Sequence, residues 1–277
     1  METLSLGYSP CPNDTFIFTP WVENRIEGAT LVEERLEDIA TLNRLALDRT
    51  LDIAKVSFHA FGHLRDNYCL LHSGGALGRG CGPLVIAREA WSPDQLEGKR
   101  IAIPGKLTTA ALLLRLFRPE LNNLCVMPFH EIMPAIRDGV VDAGLIIHES
   151  RFTFPSYALH QIVDLGEWWE EHTGHAIPLG GIVMRRALGK ERIQKADKAL
   201  AASVEYAHAY PQDVWPTVRR YAQEMEDEVM RQHIELYVNS FTYDYGSEGE
   251  AAIRYLMDTA EKLDIIPKSE QPLFVDG

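Results

Sequence analysis

Short apolar runs alternate with helix-periodic segments along most of this chain, and that alternation constrains its fold more than any other feature. Leu4 to Tyr8, Leu31 to Leu36, Leu51 to Val56, Cys69 to His72, Pro83 to Ala87, the KRIAIPG stretch, Cys125 to Phe129, Ala143 to Ile147 and Gly181 to Met184 read as strands. Between them, Phe16, Ile17 and Trp21 recur at helical spacing, as do Ile39, Leu42, Leu45 and Ala46, and Ala110 to Phe117 forms an apolar helix. Asn13 or Asp14 can cap the first of these helices and Asp38 the second. Strand followed by helix, repeated, predicts an α/β fold with mostly parallel sheets covered on both faces. From about Lys190 to Leu263 the pattern turns helical, with Ile193, Ala196, Leu200, Val204 and Ala207 on one stripe. Such a tail needs a surface to cover, and the simplest path returns it to the first half. The expected organisation is a discontinuous larger lobe, 1–87 plus 185–277, and an inserted smaller lobe, 88–184, with a substrate cleft between them. Leu84 to Ala87 and Ile182 to Met184 are the expected connecting strands. At 277 residues the chain is long for one core, since cores tend to split beyond roughly 250 residues; one domain or two lobes are both possible on length, and the pattern decides.

Composition then excludes several function classes. With 46% hydrophobic and 24% charged residues the chain is ordinary for a globular protein. A formal net charge of −13 opposes nucleic-acid binding, which needs clustered Lys and Arg to displace counterions. The longest apolar runs are too short to span a bilayer, and METLSLGYSPCP lacks the basic and apolar regions of a secretory signal. Cys11, Cys69, Cys81 and Cys125 show no CxxC spacing, which fits unpaired thiols in a reducing cytoplasm. The expected partner is a small molecule, and nothing in the pattern sets an oligomeric state.

In open α/β sheets, ligands bind outside the carboxyl ends of the strands. That rule selects the Pro10–Asp14 turn, Ser57, Thr108-Thr109 and His148. Thr108 and Thr109 open a helix directly after a Gly turn, where unpaired N–H groups and the helix dipole favour an anion such as a carboxylate. Equally, one Thr can simply cap the helix, and Ser57 alone can be turn chemistry. His148 follows a continuous apolar strand, so a rigid element would present an imidazole able to take a proton near neutral pH. The competing reading is a hydrogen-bonded structural histidine. Glu149 adjoins it but need not orient it, since neighbouring strand residues point to opposite faces. His59 and His63 stand at i, i+4 without HExxH or a third ligand, so no metal site is expected. GGALGRGCG matches neither GxxxxGK[ST] nor GxGxxG and reads as a place where backbones approach closely. Trp168-Trp169 reads as a pocket wall or core.

Several blocks, taken in order, carry a family resemblance: SPCPNDTFIF at 9–18, KVSFHA at 55–60, SGGALGRGCGPL at 73–84, KLTTA at 106–110, GLIIHESRFTF at 144–154 and PLGGIVMRR at 178–186. Together they resemble the 1,4-dihydroxy-6-naphthoate synthases of the futalosine route to menaquinone. The resemblance implies a two-lobed, periplasmic-binding-protein-like (type II) fold and a cofactor-free, metal-free lyase. It implies cyclic dehypoxanthinyl futalosine as substrate, a carboxylate, with 1,4-dihydroxy-6-naphthoate and dihydroxyacetone as products. By the same likeness His148 matches the proton acceptor, while Lys55, Val56 and Ser57, Thr108 and Thr109, and Asn43 match substrate-binding positions. A non-catalytic solute-binding or sensory protein, or chorismate dehydratase of the same pathway, are the alternatives. The export signal or output domain expected of the first is not seen, and the SPCPNDTFIF and GLIIHE blocks oppose the second.

Overall fold

The computed structural model describes residues 3–148, 150–222 and 226–275. The chain begins with β1 (Leu4–Tyr8), α1 (Pro12–Val22), β2 (Val32–Leu36), α2 (Ile39–Leu47), β3 (Ile53–Ser57), the short α3 (Phe58–Gly62), β4 (Tyr68–Leu70) and β5 (Ala76–Gly78). It continues through β6 (Leu84–Ala87), β7 (Ile101–Ile103), α4 (Thr109–Phe117), β8 (Leu124–Val126) and α5 (Phe129–Arg137). Next come β9 (Ala143–Ile146), the single turn α6 (Ser150–Thr153), β10 (His160–Asp164) and α7 (Leu165–Thr173). The long β11 (Ile177–Arg185) leads into α8 (Lys190–Ala209), α9 (Pro211–Tyr221), α10 (Asp227–Tyr237), α11 (Ser240–Tyr243) and α12 (Gly246–Lys262).

These elements form two compact units, Met1–Gly78 with Pro178–Gly277, and Arg79–Ile177. Both crossings come earlier in the chain than the expected 87/88 and 184/185. The reason lies in strand pairing: Leu84–Ala87 is an interior strand of the second sheet, bonded to β9 and β10. Ile182 to Met184 lies within β11, an interior strand of the first sheet bonded to β3 and β4.

In the first unit the strand order is β2-β1-β3-β11-β4, with β5 also on β11. β1 runs parallel to β2 and β3, whereas β11 is antiparallel to β3 and β4. The second sheet has the order β10-β6-β9-β7-β8. There β7 is parallel to β8 and β9, and β6 is antiparallel to β9 and β10. The sheets are therefore mixed rather than mostly parallel. Strands joined by a helical crossover are held parallel, but β6 and β11 each arrive after a crossing from the other unit, with no crossover helix to fix their direction.

The first core is built on α1, whose Phe16, Ile17, Phe18 and Trp21 are buried with Ile193, Leu200 and Val204 of α8, Val214 and Val218 of α9, and Met230 of α10. Pro20 lies inside α1 and cannot donate to the helix ladder. Just beyond it the Ser203 hydroxyl enters the ladder, accepting from the Trp21 N–H at 3.1 Å and donating to the Ile17 carbonyl at 2.6 Å. In the second unit, Ile132 and Ile136 of α5 pack on Leu84, Ala102 and Ile146 of the sheet.

Candidate functional site

In the first unit β1 and β3 are parallel, so the residues after each strand emerge at one end of the sheet. Helix α1 starts at Pro12 with Cys11 as its N-cap and no side-chain capping bond. Neither Asn13 nor Asp14 caps it. Asp14 is instead spent on Ser9, whose hydroxyl donates to it at 2.7 Å, and on Lys55, whose ammonium lies 2.8 Å from its other oxygen. Asp14 is 2% and Lys55 5% exposed. Burying two charges is tolerable only when the geometry and further hydrogen bonds offset lost hydration. The Asn13 amide supplies one such bond at 2.9 Å, and its carbonyl oxygen faces His233 Nε2 of α10, also at 2.9 Å. An amide oxygen only accepts, so this contact places a proton on Nε2.

Asn43, buried on α2, meets Ser57 twice. Its amide donates to the Ser57 hydroxyl at 3.1 Å and its carbonyl accepts the Ser57 backbone N–H at 2.9 Å. Asp38 caps α2 through the N–H groups of Ala40 and Thr41, as expected. Val56 is fully buried and registers with Gly181, so what it offers is backbone rather than side chain. A Cβ on the neighbouring Gly180 would stand 2.9 Å from the Val56 carbonyl oxygen and 3.3 Å from Lys55 Cε. Glycine there lets β11 lie against this corner.

In the second unit β7 and β9 are parallel, so the segment leading to Thr108 and the residue His148 leave the sheet at the same end. Thr108 is the N-cap of α4: its hydroxyl accepts from the Ala111 N–H at 3.2 Å and donates to the Gly105 carbonyl at 2.8 Å. Its capping role is thus real. Thr109, 3% exposed, opens the helix itself. His148 is partly exposed and has φ +57°, the left-handed region, which costs a non-glycine residue about 1–2 kcal/mol. Its imidazole meets the Phe129 ring edge-to-face, centroids 5.4 Å apart at 64°. Its carbonyl accepts the Arg151 N–H at 3.3 Å. Glu149 lies outside the described residues.

The other candidates resolve into structure. His59 and His63 stand with ring centroids 5.7 Å apart, and burial together with Arg65 lowers the His63 pKa. Among the described residues no group of three or more His, Cys, Asp or Glu could hold a metal ion. Trp169 is core, its indole donating to the Ala176 carbonyl. The glycine-rich link contains β5, and at Gly82 a Cβ would stand 2.2 Å from the Gly166 nitrogen, so backbones do approach closely there. None of the four cysteines is in a disulfide, and the Cys69 thiol is pushed up to about 11 and that of Cys81 to about 12 chiefly by burial. No helix among the described residues is long and apolar enough to cross a membrane.

Each unit thus gathers buried polar residues at the carboxyl end of its parallel strands, as α/β ligand-binding proteins do. The alkanesulfonate-binding protein of Xanthomonas axonopodis pv. citri, solved with MOPS, matches with a TM-score of 0.73, covering 96% of this chain and 94% of its own. At 14% identity that likeness shows the fold alone, the generic periplasmic-binding-protein fold. The match to the family described as menaquinone biosynthesis runs over residues 4–262, and the chain belongs to that family. It is 50% identical over 276 residues, 99% of this chain and 100% of the relative, to the 1,4-dihydroxy-6-naphthoate synthase of Thermus thermophilus. A crystal structure of a protein from Archaeoglobus fulgidus is 34% identical, with a TM-score of 0.90 over 95% of this chain and 98% of that one.

Proposed function

We propose that this chain is a lyase of menaquinone biosynthesis that cleaves cyclic dehypoxanthinyl futalosine to 1,4-dihydroxy-6-naphthoate and dihydroxyacetone, with His148 as general base. One observation carries the reading: half of all residues, over essentially the full length, are shared with a relative named 1,4-dihydroxy-6-naphthoate synthase. Each unit contributes residues to the scheme. The start of α4 receives its aromatic carboxylate through backbone N–H groups and the helix dipole. Thr108, whose hydroxyl is spent on Gly105 and Ala111, shapes that turn, and Thr109 opens it. Lys55, held by Asp14, supplies a fixed positive charge, while Asn43 fixes the Ser57 hydroxyl and Val56 contributes backbone.

The neutral His148 imidazole removes a proton from the sugar-derived ring. The electron pair left behind drives carbon–carbon cleavage, releasing the three-carbon fragment, and the new ring becomes aromatic. All electrons come from the substrate, so the scheme needs no metal and no redox cofactor. The left-handed backbone at His148 supports an active role, because strain of this kind persists where the surrounding structure holds it for function. Four cysteines, none in a disulfide, support a cytoplasmic location.

Purified protein incubated separately with cyclic dehypoxanthinyl futalosine and with chorismate, followed by mass spectrometry, tests the assignment. The expected result is 1,4-dihydroxy-6-naphthoate with equimolar dihydroxyacetone from the first and no change in the second. Turnover of chorismate, or binding of either compound without products, would refute it.

A further inference from the structure

Arg151, three residues past His148, is fastened to the body of its unit. Its backbone N–H reaches the His148 carbonyl at 3.3 Å. Its guanidinium is held twice, donating to the Gly82 carbonyl at 2.7 Å and to Asp164 at 2.6 Å. Both anchors are themselves rigid. Asp164 is 8% exposed, and its second oxygen caps α7 through the N–H groups of Gly166 and Glu167. Gly82 lies so close to Gly166 that a Cβ on either would collide with the other's backbone, and Leu165 donates to the Pro83 carbonyl at 2.9 Å. Two sequence blocks far apart in the chain, SGGALGRGCGPL and GLIIHESRFTF, therefore meet through one planar cation.

The consequence concerns the histidine. Its backbone sits in a conformation that L-residues leave readily, and α6, the single turn that follows, is too short to hold itself. A restraint must come from outside the turn, and the Arg151 fork is a fixed, bidentate one. We infer that Arg151, clamped by Asp164 and the Gly82 carbonyl, is a positioning residue that holds the His148 imidazole in line for proton removal. This rests on His148 being the base. Lys at 151 keeps the charge but cannot span two acceptors in a plane.

The test compares Arg151→Ala, Arg151→Lys, Asp164→Asn and His148→Ala for kcat, KM and thermal unfolding with cyclic dehypoxanthinyl futalosine as substrate. A misplaced catalytic group of this kind lowers turnover by up to about 10²-fold. The expected result for Arg151→Ala is a kcat lower by about 10- to 100-fold with KM within about threefold, and partial recovery in Arg151→Lys. Asp164→Asn, which keeps the oxygen that caps α7, should show the same split more weakly, and it decides the matter if Arg151→Ala does not fold. Wild-type kcat in folded Arg151 and Asp164 variants, or a loss confined to KM, would overturn the inference while an inactive His148→Ala leaves the base assignment standing. Full activity in His148→Ala would instead overturn the base assignment, and the inference with it.

Discussion

Asn43 gives Ser57 both ends of its amide, a donor for the hydroxyl and an acceptor for the backbone N–H. Asn43→Ala strips both partners from a buried residue, which costs about 1–3 kcal/mol. Denaturant unfolding should show that loss together with a raised KM, and unchanged values for both would mean the pair does not matter. His72 makes a different prediction. Its Nδ1 lies 2.9 Å from Asp197, its Nε2 lies 3.9 Å from Glu250, and its ring stacks on Phe274 at 4.6 Å. The Asp197 hydrogen bond outweighs burial, and Glu250 and Asp244 add to it, so the His72 pKa is raised. A raised folded-state pKa stabilises the fold fully below the unfolded value of about 6.5, and that contribution is lost as pH rises through the folded value. The step is modest because the ring is 30% exposed. His72→Gln should therefore lower the melting temperature at about pH 6 more than at about pH 8, on either side of the reference value. An equal effect at both would remove His72 as the titrating group.

Helices α1 and α2 show what holds an element in place and what a sequence can reveal of it. Ser203→Ala removes the hydroxyl that bridges Ile17 and Trp21 in α1, leaving a buried N–H and carbonyl unmatched. The expected cost is about 1–3 kcal/mol by denaturant unfolding, and a neutral substitution would show the ladder can close without it. The Asp38 cap was legible because capping is local: an Asp standing just before an apolar periodicity has few other uses. The cap suggested for α1 was misleading for a related reason. Asp14 has the right residue type, yet its oxygens are claimed by Ser9 and by Lys55, which lies 41 positions on. His233 is further still, 220 positions from Asn13, and no spacing rule reaches that far. The positions of His148, just past β9, and of Thr108, at the start of α4, were legible because the hydrophobic pattern marks both elements. Arg151 was not, since its meaning lies in Gly82 and Asp164.

At the scale of the whole chain, the α/β class follows from alternation of strand and helix, which hydrophobic burial dictates locally, and the expectation of two lobes from a helical tail that needs a surface to cover. The direction of β6 and β11 does not. Each joins its sheet from the other unit, so periodicity marks the strand without orienting it, and the sheets are mixed where parallel ones were expected. The shared fold with an alkanesulfonate-binding protein means that architecture by itself does not separate binding from chemistry. The proposed chemistry rests on the His148 imidazole just past β9, so the decisive measurement is turnover of cyclic dehypoxanthinyl futalosine by His148→Ala beside the unaltered chain, with binding followed by calorimetry. A drop of about 10²–10⁴ in rate with affinity retained is the predicted result. Undiminished turnover in the folded variant would contradict the account.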